Sequence, residues 1–291
     1  MKKRLFFIPL LVIWLELKRV FFKKKFIAEV DVTDNCNLRC KHCYHFHGKK
    51  DFIKNEISSK EWGKRFTGLY NNGVRMVLLV GGEPAIRSDV LMKAKSVFPY
   101  VAIITNGTIK VPDKFQSRVF ISIDGNEKTN DAIRGKGVFS KIIENYSGDN
   151  RVVINMTIMK SNYKELEDVI RISKKHKFRG VVCNLYTPGI EYKGPDFIKD
   201  NTRKKIIHEL KRMKSKYPDI FLMSKSMINW YEFPDHRNYC YWGDNAIHFD
   251  ISWGKRRCFA KADCSNCGCL AGTLQNPLKM LLSPREAKKI L

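Results

Sequence analysis

The chain has 291 residues, enough to bury a full core and to form one large domain with a small appendage. It carries 54 Lys and Arg against 29 Asp and Glu, a formal net charge of +25 that attracts anionic partners, yet no RNA-binding signature or zinc-finger spacing accompanies it, so specific nucleic-acid recognition is not expected. Nine cysteines, odd in number and clustered with short gaps, exclude a spread disulfide framework and point to metal binding in a reducing compartment.

Lys2, Lys3 and Arg4 precede an apolar stretch at 5–15, followed by Glu16, Lys18, Arg19 and Lys23 to Lys25. No small-residue cleavage site comes after it, and the run is short for a membrane span. Aromatic and aliphatic residues flanked by lysines suit a segment lying in the membrane interface on the cytoplasmic side; a core-packing helix, a span or an export signal are the alternatives. Residues 1–25 are therefore set apart from the rest of the chain.

From Phe26 onward, strand-like apolar runs alternate with helical patterns, the signature of βα units and a parallel α/β sheet. Strands are expected near 26–33, 74–80, 100–105, 118–124, 151–159 and 179–186. Ser58 with Glu61 predicts a capping box opening a helix that stops at Asn72-Gly73. Asn162 is expected to cap a second helix, with Leu166, Val169 and Ile170 on its buried face. Thr202 is expected to start a third, with Ile206, Ile207, Leu210 and Met213 inward and Pro218 ending it. Six such units with right-handed crossovers close most of a barrel over 26–218, whose chemistry collects at the C-terminal ends of the strands. Cys183, alone in an apolar run, reads as an inert core residue.

The loop after the first strand holds Cys36, Cys40 and Cys43, spaced by three residues and then two. Three such thiolates can hold three corners of a cubane iron–sulfur cluster and leave one iron open. Zinc is the alternative, although structural zinc sites pair two knuckles and none lies nearby. After the second strand come Gly81, Gly82, Glu83 and Pro84, where two glycines permit a tight turn that exposes backbone groups. Alternation puts Ser122 and Asp124 on one face at the end of the fourth strand. Asn155, Thr157 and Asn184 are candidates to line the cavity, with core or structural roles as the alternative. Five more cysteines stand at the C-terminal end: Cys240, Cys258, Cys264, Cys267 and Cys269. They suffice for one four-ligand cluster with one thiol to spare, or for a structural zinc; spacing does not say which thiol is spare. His236 and His248 lie nearby without being required as ligands.

CNLRCKHC resembles the CxxxCxxC signature of the radical S-adenosylmethionine (radical SAM) enzymes, with His42 where that family usually has an aromatic residue. The downstream motifs recur in family order, so the resemblance covers about 26–190 and extends more weakly to about 270. It implies a partial six-unit TIM-like barrel, a [4Fe–4S] cluster on Cys36, Cys40 and Cys43, and SAM bound at the open iron. Gly81, Gly82, Glu83 and Pro84 resemble the GGEP motif, whose backbone meets the SAM amino group. Thr105 and Asn106, with Gly107, resemble the TNG stretch. Ser122 and Asp124 fall in an SIDG stretch, where ribose hydroxyls need partners. The run from Asp131 to Gly137 resembles D-x-I-R-G-x-G, which implies that Arg134 grips the SAM carboxylate.

Cys240 and Cys258 resemble the opening of a SPASM or twitch domain, which implies an auxiliary [4Fe–4S] cluster in a cysteine-rich extension at 219–291. Departing from that pattern, Cys264, Cys267 and Cys269 are fewer and closer together than the later cysteines of a full SPASM domain. The implied activity is reductive cleavage of SAM to a 5′-deoxyadenosyl radical that abstracts hydrogen from a substrate, with a flavodoxin- or ferredoxin-type electron donor, in the cytoplasm or on the cytoplasmic face of the membrane. The N-terminal stretch favours a lipid or membrane-bound substrate. The tail favours a peptide, for which 1–25 leaves no room for a fused recognition domain, so a separate partner would supply it. A metal-stabilised, non-catalytic basic binding protein accounts for the charge and the cysteines but not for the ordered motifs.

Overall fold

The computed structural model describes residues 21, 25–43, 45–46, 56–190, 193–256, 258 and 262–270. The N-terminal apolar stretch at 5–15 lies outside the described residues. Among the described residues no helix is long and apolar enough to cross a membrane.

Six parallel strands stand where the apolar runs place them: β1 (Ile27–Asp31), β2 (Met76–Val80), β3 (Tyr100–Thr105), β4 (Arg118–Ile121), β5 (Val152–Ile158) and β6 (Gly180–Leu185). Each pairs in parallel with the next in chain order. Their runs are mostly apolar because parallel strands are covered on both faces. The C-terminal region adds β7 (Ala246–Phe249), parallel to β1, and β8 (Lys255–Arg256), antiparallel to β7. The order β6-β5-β4-β3-β2-β1-β7-β8 leaves β6 and β8 as edges, so the barrel is open. The two added strands were not legible as periodicity: they are short, and β7 is held by a partner more than 200 residues earlier.

Among the described residues the helices are α1 (Ser59–Asn71), α2 (Ser88–Val97), α3 (Glu127–Arg134), α4 (Val138–Tyr146), α5 (Leu166–Lys175), α6 (Asp200–Lys216), α7 (Lys225–Trp230) and α8 (Tyr241–Asn245). Ser58 caps α1 by accepting the Glu61 N–H, and Trp62, Phe66 and Leu69 form its buried stripe. In α6 the expected Ile206, Ile207, Leu210 and Met213 are buried, though the helix opens at Asp200 rather than Thr202. Asn162 caps nothing. Its side chain instead accepts the Met159 N–H and donates to the carbonyls of Asp124 and Thr157, stitching β5 to the end of β4. Cys183 is fully buried, and burial drives its thiol far above the ordinary range.

Ile121 sits at 0% exposure near the centre of the sheet. Ile121→Ala is expected to lower the unfolding free energy in urea by about 2–5 kcal/mol. Lys164→Ala, on the exposed surface, should change it by less than about 0.5 kcal/mol. Equal effects would contradict the placement of the core.

Candidate functional site

Chemistry-bearing side chains gather at the C-terminal ends of β1 to β6, around a cavity of about 260 Å³. Cys36, Cys40 and Cys43 line it, together with Gly81, Gly82 and Glu83. Thr105, Asn106, Ser122 and Arg134 continue the wall, and Asn155, Thr157 and Asn184 reach it from β5 and β6. Cys258 and Cys269 face the same space. Pro84, Asp124, Cys240, Cys264 and Cys267 do not line it.

The cysteine loop is positioned by backbone contact with the glycine loop after β2. The Gly82 N–H donates to the Thr33 carbonyl and the Glu83 N–H to the Asn35 carbonyl, each at 2.8 Å. A Cβ on Gly82 would stand 2.3 Å from the Asn35 oxygen, and one on Gly81, at φ +122°, 2.5 Å from the Thr33 oxygen. Only glycine lets the two loops lie this close. The N–H groups of Gly82 and Glu83 are thus spent on the cysteine loop, which leaves carbonyls rather than these amides for a ligand.

Glu83 is 1% exposed and accepts hydrogen bonds from Thr105 Oγ1, the Asn106 N–H and the Ala85 N–H at 2.6, 2.7 and 2.9 Å. Burial raises its carboxyl above the ordinary range, against the pull of those donors. Glu83 therefore joins the ends of β2 and β3. Asn106 passes the brace onward: its Nδ2 donates to Asn37 Oδ1 at 2.9 Å and lies 3.9 Å from Cys36 Sγ.

Asp124 departs from its expected role. β4 ends at Ile121, so strand alternation does not extend to it, and its carboxylate is fully buried away from the cavity. Oδ2 pairs with Arg134 Nη2 at 2.7 Å and lies 3.5 Å from His42 Nε2, while Oδ1 accepts the Thr157 N–H at 2.8 Å. Asp124 is thus a holding group for Arg134 and the cysteine loop, and Ser122 alone of that pair faces the cavity. Arg134 is 7% exposed; its Nη1 lies 3.9 Å from Cys40 Sγ, and its Nε has no hydrogen-bond partner. A buried, orphaned guanidinium nitrogen on a cavity-lining side chain fits an anionic ligand group such as a carboxylate. The rest of the motif is scaffolding: Asp131 accepts the Gly137 and Phe139 N–H groups and so caps α4, with Gly135 and Gly137 at positive φ.

Burial pushes the Cys40 thiol up to about 11, although Arg134 beside it acts in the opposite direction, and burial likewise raises Cys36. Burial pushes Cys267 up to about 12; the Cys269 N–H opposes this, while Cys240, Cys258 and Cys264 add to it. The tail is fixed to the end of β6. The Leu185 N–H donates to the Gly268 carbonyl at 2.9 Å, the Gly268 N–H to Thr187 Oγ1 at 2.8 Å, and the Leu270 N–H to Asn184 Oδ1 at 2.9 Å. Among the described residues no three His, Cys, Asp or Glu side chains come close enough to hold a single metal ion. A four-iron cube takes each thiolate on a different iron, so its ligands stand farther apart than those of one zinc.

Glu29 was not singled out by the sequence, where it is one carboxylate in an apolar strand. It lines the cavity, accepts Trp242 Nε1–H at 2.9 Å and lies 3.5 Å from His248 Nδ1. Burial alone would depress His248, but Glu29, with Cys258 and the Trp242 carbonyl, outweighs it and raises the imidazole.

The family model described as the Radical SAM superfamily matches residues 30–192. The GTP 3′,8-cyclase of Aliarcobacter butzleri (strain RM4018) is 28% identical over 237 residues, 74% of this chain and 71% of that protein. The sporulation killing factor maturation protein SkfB of Bacillus subtilis (strain 168) is 33% identical over 156 residues, 48% of this chain but 38% of that protein. Among solved structures, Streptococcus suis SuiB bound to S-adenosylmethionine superimposes with a TM-score of 0.64 at 15% identity, covering 89% of this chain and 68% of that one. That likeness is one of fold.

Gly82→Ala is expected to cost at least twice as much stability as Gly148→Ala. Gly148 has positive φ but nothing within 4 Å of a Cβ, so its substitution costs only the backbone term of about 1–2 kcal/mol. Thermal denaturation compares the two, and equal losses would contradict the close approach of the loops.

Proposed function

The chain belongs to the radical SAM superfamily, and from that premise we propose that Cys36, Cys40 and Cys43 hold a [4Fe–4S] cluster at the mouth of this barrel while SAM occupies the cavity beside it. The observation that carries the reading is the convergence of those three thiols with the partly unsatisfied Arg134 guanidinium on one cavity. When bound, the cluster and SAM supply one-electron chemistry that generates a carbon radical able to take a hydrogen atom from a substrate.

The chain's own residues bind and orient. Arg134, fixed by Asp124, receives the SAM carboxylate; the fork is pre-aimed, so little side-chain entropy is lost on binding. Carbonyls of the 81–84 turn accept from the SAM amino group, and Ser122 meets a ribose hydroxyl. Thr105 and Asn106 act through Glu83 and the cysteine loop. Leu38, Leu78, Val80, Ile104 and Leu185 form an apolar wall that excludes water from reactive species. Electrons come from a flavodoxin- or ferredoxin-type donor.

Four of Cys240, Cys258, Cys264, Cys267 and Cys269 hold a second cluster, and the fifth thiol is spare. The domain division that goes with it is a barrel over 26–218 and a cysteine-rich extension over 219–291.

The apolar wall favours a substrate whose reacting portion is itself apolar, in keeping with a lipid or membrane-associated molecule. A second reading, a peptide maturase, is favoured by the similarity to SkfB and by the fold shared with SuiB, solved also with its precursor peptide SuiA. The chain spans well under half of several relatives it matches, so its substrate is part of the proposal. Lipid and peptide profiles of cells with and without the gene distinguish the two readings.

Replacing Cys36, Cys40 and Cys43 together by alanine is expected to remove about four of about eight irons and to abolish formation of 5′-deoxyadenosine under strong reductant. Product from the folded triple variant would overturn the proposal. A variant lacking Cys264, Cys267 and Cys269 should still form 5′-deoxyadenosine within about tenfold of the parent rate, because the first cluster's ligands all lie on one loop. Loss of that activity in a folded variant would show that the two cysteine sets are coupled.

A further inference from the structure

A buried cation without an acidic partner among the described residues stands against the C-terminal cysteines. Arg203, in the first turn of α6, is 4% exposed. Its Nη1 donates to the carbonyls of Tyr231 and Cys267 at 3.3 and 3.4 Å, and its Nη2 to the Asn266 carbonyl at 3.4 Å. These bonds are longer than ordinary N–H···O bonds. The other two buried arginines among the described residues each hold a carboxylate: Arg134 pairs with Asp124 at 2.7 Å and Arg151 with Asp149 at 2.6 Å. Arg203 has no such pair, and Asp200, on the same helix, is exposed.

A guanidinium taken out of water with only carbonyl dipoles around it carries a desolvation cost that those dipoles repay in part. As neutral thiols the cysteines offer Arg203 no charge. As thiolates on a metal centre they offer several, at the carbonyl-bearing turn that Arg203 already grips.

We infer that Arg203 is the fixed counter-cation of the C-terminal metal–thiolate centre, anchoring the turn at 266–267 and favouring the centre's reduced state. The inference rests on the reading of these cysteines as a cluster site. The physical reason is charge. A cluster with four thiolates is anionic, and each added electron makes it more so, which a nearby cation stabilises more strongly in a medium of low dielectric constant. Arg203 is a positioning and charge-balancing residue; it touches the ligand-bearing turn and not the substrate.

The test compares wild type, Arg203→Met and Arg203→Lys as reconstituted full-length proteins, by redox titration of the EPR signal that SAM leaves unchanged. Arg203→Met should lower the reduction equilibrium constant at least about tenfold, or about 59 mV for one electron, and should speed iron release to a chelator. Arg203→Lys, which keeps the charge and loses the fork, should hold the potential within about threefold of wild type, or about 30 mV, and release iron at an intermediate rate. An unshifted potential in Arg203→Met with the centre present would overturn the inference and leave the cluster assignment standing. If Arg203→Met cannot retain the centre, retention by Arg203→Lys supports the charge role, and loss from both variants overturns it in favour of packing. Wild type with only about four irons would overturn the cluster assignment itself.

Discussion

The structure depends on two consecutive backbone hydrogen bonds, from Gly82 to Thr33 and from Glu83 to Asn35. They join the loop after β2 to the loop after β1, and so set where the three cysteines stand relative to the rest of the barrel mouth. Both require the absence of side chains at 81 and 82. Two buried carboxylates extend this constraint around the sheet. Glu83 ties the glycine loop to β3 through Thr105 and Asn106. Asp124 ties the end of β4 to β5 through the Thr157 N–H, and to α3 and the cysteine loop through Arg134 and His42. Acidic residues of the recurrent motifs here hold protein to protein, and the cavity is what they leave between them.

The same device closes the other side. Gly268 lies so close to β6 that a Cβ would meet the Leu185 carbonyl oxygen at 2.2 Å. The turn carrying Cys267 and Cys269 is thereby drawn against the strand end. β7, pairing with β1 on the opposite flank, brings Trp242 and His248 onto Glu29. The C-terminal region thus meets the barrel at both ends of the β1–β6 array, which is why Cys258 and Cys269 face the cavity that the first three cysteines line.

Much of this was legible in the sequence because its signals are local. Mostly apolar runs mark the six strands, since parallel strands are buried on both faces. The spacing of Cys36, Cys40 and Cys43 is chemistry written in one loop, and Ser58 caps its helix through an N–H three residues on. The failures are of a different kind. Alternation carries Asp124 past the point where β4 ends, and its partners Arg134 and Thr157 belong to other units. Asn162 has the residue type of a cap but is drawn to carbonyls at 124 and 157. Glu29, β7 and the neighbours of Cys267 depend on contacts across more than 200 residues or on loop closure within the tail, which no periodicity encodes. Arg203 carried no signal at all, because one arginine among 54 basic residues stands out only when its burial is known.

The most direct test of the account is the EPR spectrum of the reduced, cluster-loaded chain recorded with and without SAM. The account holds that one iron of the Cys36–Cys40–Cys43 cluster opens onto the cavity where Arg134 waits for an anionic group. It therefore predicts that SAM alters one of two cluster signals, and that in Arg134→Ala the same change needs at least about tenfold more SAM, the loss of about 1.4 kcal/mol of binding. A spectrum that saturating SAM leaves unchanged would contradict it.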